Sequence, residues 1–478
     1  MSVQPQTVRL QQPRQWEPLA LVPVLAGLHS LASADGLGWW IWGLLPGALM
    51  LAGGIGHWVL QGDPRVNSVT ALGGILGIPA ALLWMIFDGF FGGVLSALGA
   101  AGTVLVAGRL GVLRATRPAE VPEPETSLAL DAKVGIDEAL LGYFVLGARL
   151  PSGPQAAQVV EQAERMVAGI DALGYAEHPE RLHVPVAAPD EVTTRDGRIY
   201  GTAYQTLRFD SAFLADEQLP GAAVWNRLDG NRRCAVRVVR HPQPGRPWLV
   251  CVHGYRMGVP WMDLSLFSPR WVTERLGVNF VQPVLPLHGP RRVGARSGDH
   301  YLDGDPLDLF YAQSQALSDL RQTLAWIRQQ DPDARIGVYG ISLGGYNAAL
   351  LANYASDLDF VVAGIPVLDF SDALWRLLTP SHRQYFEGSG LTPERYRTLL
   401  APVSPLARAP RVPEDRRFIF AANCDRVVLP EHPLALAAHW GVDVNWYQGS
   451  HLSVRRERVT RDTVIQAMVA AGWPLSAV

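Results

Sequence analysis

At 478 residues the chain is long for one domain, and its formal charge of −3 with a pI near 6.5 gives no global reason to expect nucleic acid. Three cysteines, Cys234, Cys251 and Cys424, make no disulfide framework and show no metal-type spacing, so no metal is expected. Charged residues make up only 18% of the chain, and the shortfall lies in the first 115 residues. Lys133 is the one lysine, a bias of GC-rich genomes that carries no mechanistic message.

Within residues 1–115, the runs Leu37 to Leu60, Ser68 to Phe87 and Gly89 to Gly108 are uncharged, each about the length that crosses a hydrocarbon core. Trp39, Trp40, Trp42 and Trp58 near the ends of the first run suit an interfacial belt. The pairs Gly43/Gly47, Gly73/Gly77 and Gly89/Gly93 have the small-residue spacing that lets such helices pack closely. Pro18 to Ala32 is either a fourth span or the core of a signal peptide, with Ala32-Ser33-Ala34 resembling a cleavage site. Both readings leave the remaining chain on the cytoplasmic side. Arg9, Arg14, Arg65, Arg109, Arg114 and Arg117 all fall on that side, while the links at Ser33–Gly36 and Asp88 carry no basic residue. The expectation is an integral membrane protein with three or four spans.

Residues 116–195 read as a linker and helical extension. Arg117 to Glu125 is rich in proline and glutamate, as an extended linker is. Helical patterns follow around Ile136–Ala148 and Pro154–Leu173, and Val159, Val160, Ala163, Met166, Val167 and Ile170 recur at helical spacing. Both helices are expected to lie on the domain that follows.

From residue 196 to 478 short apolar runs alternate with helical segments, which indicates an α/β domain. Ile199–Phe209, Ala222–Leu228 and Cys234–Val239 read as early strands, antiparallel at the sheet edge. Pro247 to Val252 and Phe280 to Leu285 are near-continuous apolar strands of the buried kind. Leu307–Gln329 is a covering helix, and Thr460–Ala471 closes the domain. Between them, Gly340-Ile341-Ser342-Leu343-Gly344 follows the strand-like run Arg335–Tyr339 and precedes a helical run from Gly345 to Leu351. Strand, sharp turn and helix around G-x-S-x-G make a nucleophile elbow, in which small residues flank a serine raised above the sheet.

A serine needs a base, and the base needs an orienting group. Asp425 follows the strand Arg417–Ala422, and His451 follows the strand Val442–Tyr447. Asp369, after the preceding strand, competes with Asp425 for the acid's place. These motifs resemble the α/β-hydrolase superfamily from about Arg246 to the C-terminus, roughly half of the chain. The resemblance implies a mostly parallel central sheet with helices on both faces, a triad of Ser342, His451 and Asp425, and no cofactor. It also makes His253-Gly254 an oxyanion loop, with the backbone N–H groups of Tyr255 and Leu343 as donors. His253 itself reads chiefly as a loop-ordering residue.

The second pair, His288-Gly289, is followed by Arg291 and Arg292 at the same sheet edge. His253, Arg256, His288 and Arg291 are candidate substrate-binding residues, since arginines there could hold a carboxylate or phosphate or could only form salt bridges. Residues 371–414 are a candidate cap.

The functional expectation is a membrane-tethered serine hydrolase cleaving an ester or thioester, with lipid among the candidate substrates. A peptidase or acyltransferase with the same triad, or a non-catalytic membrane interaction protein, would share these features.

Overall fold

The computed structural model describes residues 16–474, apart from 34, 35, 88, 152 and 303. Arg9, Arg14, Ala34 and Asp88, which enter the orientation and cleavage readings, lie outside the described residues. By its internal contacts the chain forms two units, one of Met1–Thr116 with Pro124–Gly147, the other of Arg117–Glu123 with Ala148–Val478.

The first unit is helical. Two of its helices, Pro64–Phe87 and Phe90–Leu113, are long and apolar enough to cross a membrane, and Pro18–Ser33 and Leu44–Val59 are shorter apolar helices. A π-helical turn over Trp39–Gly43 leads into Leu44–Val59, so the run Leu37 to Leu60 is helical up to Val59 but irregular. Glycines bring the helices together. Gly73 packs on the backbone of Met50, Gly77 on Ala100, Gly47 on Leu31 and Gly93 on Met85, whereas Gly89 meets nothing. Large apolar side chains point outward instead, among them Ile86, Phe90, Phe91 and Leu98. Small residues inside and an apolar exterior reverse the pattern of a helical bundle built for water.

The helix Leu128–Gly147 corrects the expected extension over 116–195, because it belongs to this helical unit. Gly135 and Gly142 let its backbone press against Val104 and Ser68, and Glu138 accepts a hydrogen bond of 2.7 Å from Ser68. Arg109 pairs with Asp131 at 2.9 Å on the same contact. Only the helix Pro154–Ala172 lies on the second unit, burying Ala163, Met166, Val167 and Ile170 as its periodicity requires.

The second unit is built on one nine-stranded sheet in the order β1-β2-β3-β5-β4-β6-β7-β8-β9. The strands are β1 Thr193–Ile199, β2 Thr202–Asp210, β3 Arg233–Val239, β4 Trp248–Val252, β5 Asn279–Pro283, β6 Ile336–Ile341, β7 Phe360–Gly364, β8 Arg417–Ala422 and β9 Val444–Tyr447. Pairings β1–β2, β2–β3 and β3–β5 are antiparallel, and the pairings from β5 through β4, β6, β7 and β8 to β9 are parallel. This is the strand order of the α/β-hydrolase fold, with an added hairpin strand at the antiparallel edge.

Alternation along the parallel strands feeds two cores. Val250, Val252, Val338, Val361 and Ile419 face the helices Pro306–Gln330, Leu343–Ala352 and Glu431–Trp440. Leu249, Cys251, Tyr339, Phe360 and Phe420 face the opposite side, where the helix Arg458–Ala470 packs. The run Ala222–Leu228 is not a strand: after Gly221 (φ +82°) the chain makes a helical turn over Ala222–Trp225. Trp225 there stacks on Tyr311 and donates to Gln315 at 3.0 Å, and those side-chain contacts outweigh the local apolar pattern. Residues 371–414 hold short helical segments, among them Phe370–Trp375, Pro380–Gly388 and Pro393–Leu400, whose Phe386, Tyr396 and Leu399 join the first of these cores.

Candidate active site

Ser342 stands between the end of β6 and the helix Leu343–Ala352, with φ +57° and ψ −115°. A non-glycine residue at positive φ stores strain of about 1–3 kcal/mol, which the surrounding packing must sustain. The glycines on either side make that turn sterically feasible. A Cβ on Gly340 would run into the carbonyl of Gly344, and one on Gly344 into the carbonyl of Val252. The Ser342 N–H donates to the Gly364 carbonyl of β7 at 2.8 Å, fixing the turn to the neighbouring strand.

The His451 ring reaches the serine from the loop after β9. Its Nε2 lies 3.1 Å from the Ser342 hydroxyl, and its Nδ1 lies 2.7 Å from Asp425 Oδ2. A carboxylate can only accept, so Nδ1 carries the proton and Nε2 presents its lone pair to the hydroxyl. The other oxygen of Asp425 accepts from the N–H groups of Val427 and Val428 at 2.9 and 2.7 Å. Both Asp425 and His451 are buried, which strengthens their interaction.

Asp369 is not part of this line. It caps the helix Phe370–Trp375 by accepting from Ser371 and Asp372 N–H, and it pairs with Arg397 at 2.5 Å.

The loop after β4 passes beside the serine. A Cβ on Gly254 would sit 3.6 Å from that of Ser342, so the backbone leading to Tyr255 runs alongside the nucleophile. Leu343 is the first residue of its helix, where N–H groups have no intrahelical partner. The structure thus brings the two expected oxyanion segments to the hydroxyl.

Of the four residues considered for substrate binding, two are fully enclosed histidines. His253 donates Nδ1–H to the Gly254 carbonyl at 2.8 Å and accepts the Leu285 N–H on Nε2 at 3.0 Å. Burial pushes its pKa down to about 3, so it is a neutral brace between two loops. His288 donates to the Pro286 carbonyl at 2.8 Å and packs against the rings of His253, Tyr255 and Tyr301. Burial holds its pKa well below the ordinary value.

Arg256 pairs with Asp299 and lies over the Tyr255 ring. Arg291 is also buried, pairing with Asp319 at 2.7 Å and donating to the carbonyls of Val284 and Asn231. Its guanidinium is therefore committed to the protein interior, which fits the salt-bridge alternative and corrects its candidacy for substrate binding. The glycines of the two His-Gly loops explain why they act together: Gly289 (φ +51°) abuts Gly258 so closely that a Cβ would strike the Gly258 carbonyl.

Sequence reading missed the pair that anchors this loop. Arg237 on β3 lies 2.6 Å from Asp263, and the two hold the carbonyl and the N–H of Gly258 at 2.7 and 2.9 Å. The buried arginine in an otherwise apolar strand run was the only local signal. No His, Cys, Asp or Glu group suited to a metal occurs among the described residues.

No family model matches the chain. Among solved structures, the acetyl xylan esterase from Paenibacillus sp. R4 is similar at 16% identity and a TM-score of 0.43, over 63% of this chain and 93% of that one. Acetyl xylan esterase 1 from Thermoanaerobacterium sp. JW/SL YS485 is similar at 17% identity and a TM-score of 0.41, over 68% of this chain and 96% of that one. A curated relative, the uncharacterized protein Rv2627c of Mycobacterium tuberculosis (strain ATCC 25618 / H37Rv), is 34% identical over 367 residues, which are 74% of this chain and 86% of the relative. The uncharacterized protein MT2702 of Mycobacterium tuberculosis strain CDC 1551 / Oshkosh matches to the same extent. With that identity over that much of both chains, this protein belongs to the family of Rv2627c.

Proposed function

We propose that the protein is a serine hydrolase that cleaves a carboxylic ester or thioester through an acyl-enzyme. The observation that carries this reading is the hydrogen-bonded line from Ser342 through His451 to Asp425, set on a strained turn between strand and helix. Ser342 Oγ attacks the carbonyl carbon as its proton passes to His451 Nε2. Asp425 holds the resulting imidazolium, and the N–H groups of Leu343 and Tyr255 receive the developing oxyanion. Such a donor contributes about 3–4 kcal/mol of transition-state stabilisation. His451 then returns the proton to the departing alkoxide or thiolate. A water molecule, deprotonated by the same nitrogen, attacks the acyl-serine, and His451 hands that proton to Ser342 Oγ as the acyl–oxygen bond breaks and the acid leaves.

The helical unit tethers this activity to a membrane. Its support is the pair of long apolar helices, the glycine-mediated interior and the exposed Phe90, Phe91 and Leu98, which would be costly in water. Arg65 begins one long helix and Arg109 and Arg114 end the other, so the basic end of this hairpin faces the cytoplasm with the hydrolase unit. A lipophilic acyl ester fits an enzyme held beside a bilayer.

A fluorophosphonate probe tests the chemistry. The full-length protein in detergent is labelled, and labelling disappears in Ser342→Ala. Folded wild-type protein that resists the probe would sink the reading. Carbonate extraction of membranes tests the tether, since release of the protein into the supernatant is incompatible with spanning helices.

A further inference from the structure

Residues Arg117–Glu123 connect the helices Phe90–Leu113 and Leu128–Gly147 of the helical unit, yet by contacts they belong to the hydrolase unit. This strap has a buried anchor, Val121, and it ends on the two loops that carry Asp425 and His451. The residue at the junction is Asn423, two positions before Asp425 and almost fully buried. Its Nδ2 donates to Gln448 Oε1 at 2.8 Å and to the Pro122 carbonyl at 3.3 Å. Its Oδ1 accepts the Gly449 N–H at 3.3 Å. Gln448, three positions before His451, donates Nε2–H to the Glu123 carbonyl at 3.1 Å. From its own place on the loop of the acid, this one carboxamide thus spends its N–H groups and its oxygen on two other segments, the loop of the histidine and the strap.

We propose that Asn423 is a positioning residue for the triad, and that the strap 117–123 is the third support it needs. The proposal rests on the serine-hydrolase reading of the same site. Beyond the last pairing of β8 with β9, the two loops are tied by the backbone bonds Asn423 N–H to Tyr447 O and Cys424 N–H to Gly449 O, both 3.1 Å. Those bonds fix the loops along the sheet edge. The Asn423 amide adds a bond across them, from two residues before Asp425 to three before His451, whose mutual contact is 2.7 Å. Loss of that bond lets the acid drift relative to the imidazole while the binding surface for substrate stays in place. The strap is covalently continuous with two helices of the other unit, so the registration of the triad depends on chain outside the hydrolase sheet.

The test compares full-length wild type with Asn423→Ala, Asn423→Asp and a replacement of residues 117–123 by a glycine-serine segment of equal length. Each is assayed for the rate of fluorophosphonate labelling, kcat and KM on a soluble ester, the pH–rate profile and the melting temperature. Asn279→Ala serves as a control for the loss of a buried asparagine that bonds elsewhere, to Arg246 O and the His241 N–H.

Asn423→Ala and the strap replacement are expected to lower the labelling rate and kcat by about tenfold to a hundredfold, the scale of a misplaced catalytic group. KM stays within about twofold, and the acid limb of the pH profile moves, while Asn279→Ala changes only the melting temperature. Labelling at the wild-type rate with an unchanged pH profile would overturn the proposal alone. So would a fall in melting temperature with kcat intact. Failure of folded wild type to label at all overturns the serine-hydrolase reading and this inference with it. Should Asn423→Ala not fold, the strap replacement, which alters no other side chain of the sheet or its loops, is judged by the same criteria.

Discussion

The guanidinium of Arg291 lies 2.7 Å from the carboxylate of Asp319, and both side chains are withdrawn from solvent. Asp319 also accepts from Ser211 at 2.5 Å, while Arg291 donates to the Asn231 carbonyl, so the pair joins the second His-Gly loop to the start of β3. Removing one member leaves the other charged and buried, at a cost of about 3–5 kcal/mol. Arg291→Met is therefore expected to lower the denaturation midpoint markedly and to leave KM for anionic and neutral esters equally changed. A selective rise in KM for anionic esters, at unaltered stability, would return Arg291 to the substrate.

Arg237 and Asp263 clamp the loop after β4, one on each backbone group of Gly258. Arg237→Met removes the hydrogen bond to the carbonyl and strands a buried carboxylate, again costing about 3–5 kcal/mol. Because the loop leads from Gly254 beside Ser342, kcat is expected to fall as well, by about tenfold or more if one oxyanion donor shifts out of reach. Thermal melting and ester turnover on the same preparation check both effects. A destabilised variant with full kcat would show that the loop keeps its course without this clamp.

The hydrogen-bonded line of Ser342, His451 and Asp425 was legible because each member sits next to a local pattern: a G-x-S-x-G turn for Ser342, and strand ends for Asp425 and His451. Arg291 was not, since its partner Asp319 lies on a helix and nothing local distinguishes a buried arginine from one facing substrate. The same holds for Asn423, whose partners Pro122 and Gln448 come from distant parts of the chain. Helix Leu128–Gly147 was recognisable as a helix but not by its destination. Its glycines at 135 and 142 meet backbones of other helices, a fact that periodicity does not contain. Ala222–Trp225 misled through its apolar run, because the deciding contact, Trp225 on Tyr311, is again tertiary.

Two aspartates competed in sequence for the acid's place, and replacing each separates them. Asp425→Asn keeps an acceptor for Val427 and Val428 but disturbs the tautomer of His451, and kcat is expected to fall by about 10⁴. Asp369→Asn keeps a cap acceptor and gives up only the half-exposed pair with Arg397, costing about 0–1 kcal/mol of stability with turnover within a few-fold of wild type. Initial rates on one ester decide it. Equal losses in the two variants would contradict the assignment of Asp425.

Buried neutral histidines give the hydrolase unit a particular response to acid. His253 and His183 have pKa values pushed down to about 3 and about 4, in both cases chiefly by burial. In the unfolded chain each takes up a proton near pH 6.5. Between that pH and the folded value the unfolded state binds more protons, so stability is complete above about pH 6.5 and declines as pH falls. Each histidine contributes about 1.4 kcal/mol of loss per pH unit within its window, which closes near pH 4 for His183 and near pH 3 for His253. His183 donates its Nε2–H to the Pro402 carbonyl at 2.9 Å, and glutamine can keep that donor without titrating. His183→Gln should therefore match wild type at pH 7.5 and lose less stability by pH 5, the two curves diverging by about 2 kcal/mol. Denaturation midpoints taken from pH 7.5 to 5 measure the divergence, and parallel curves would mean that His183 is charged, or solvated, in the folded protein.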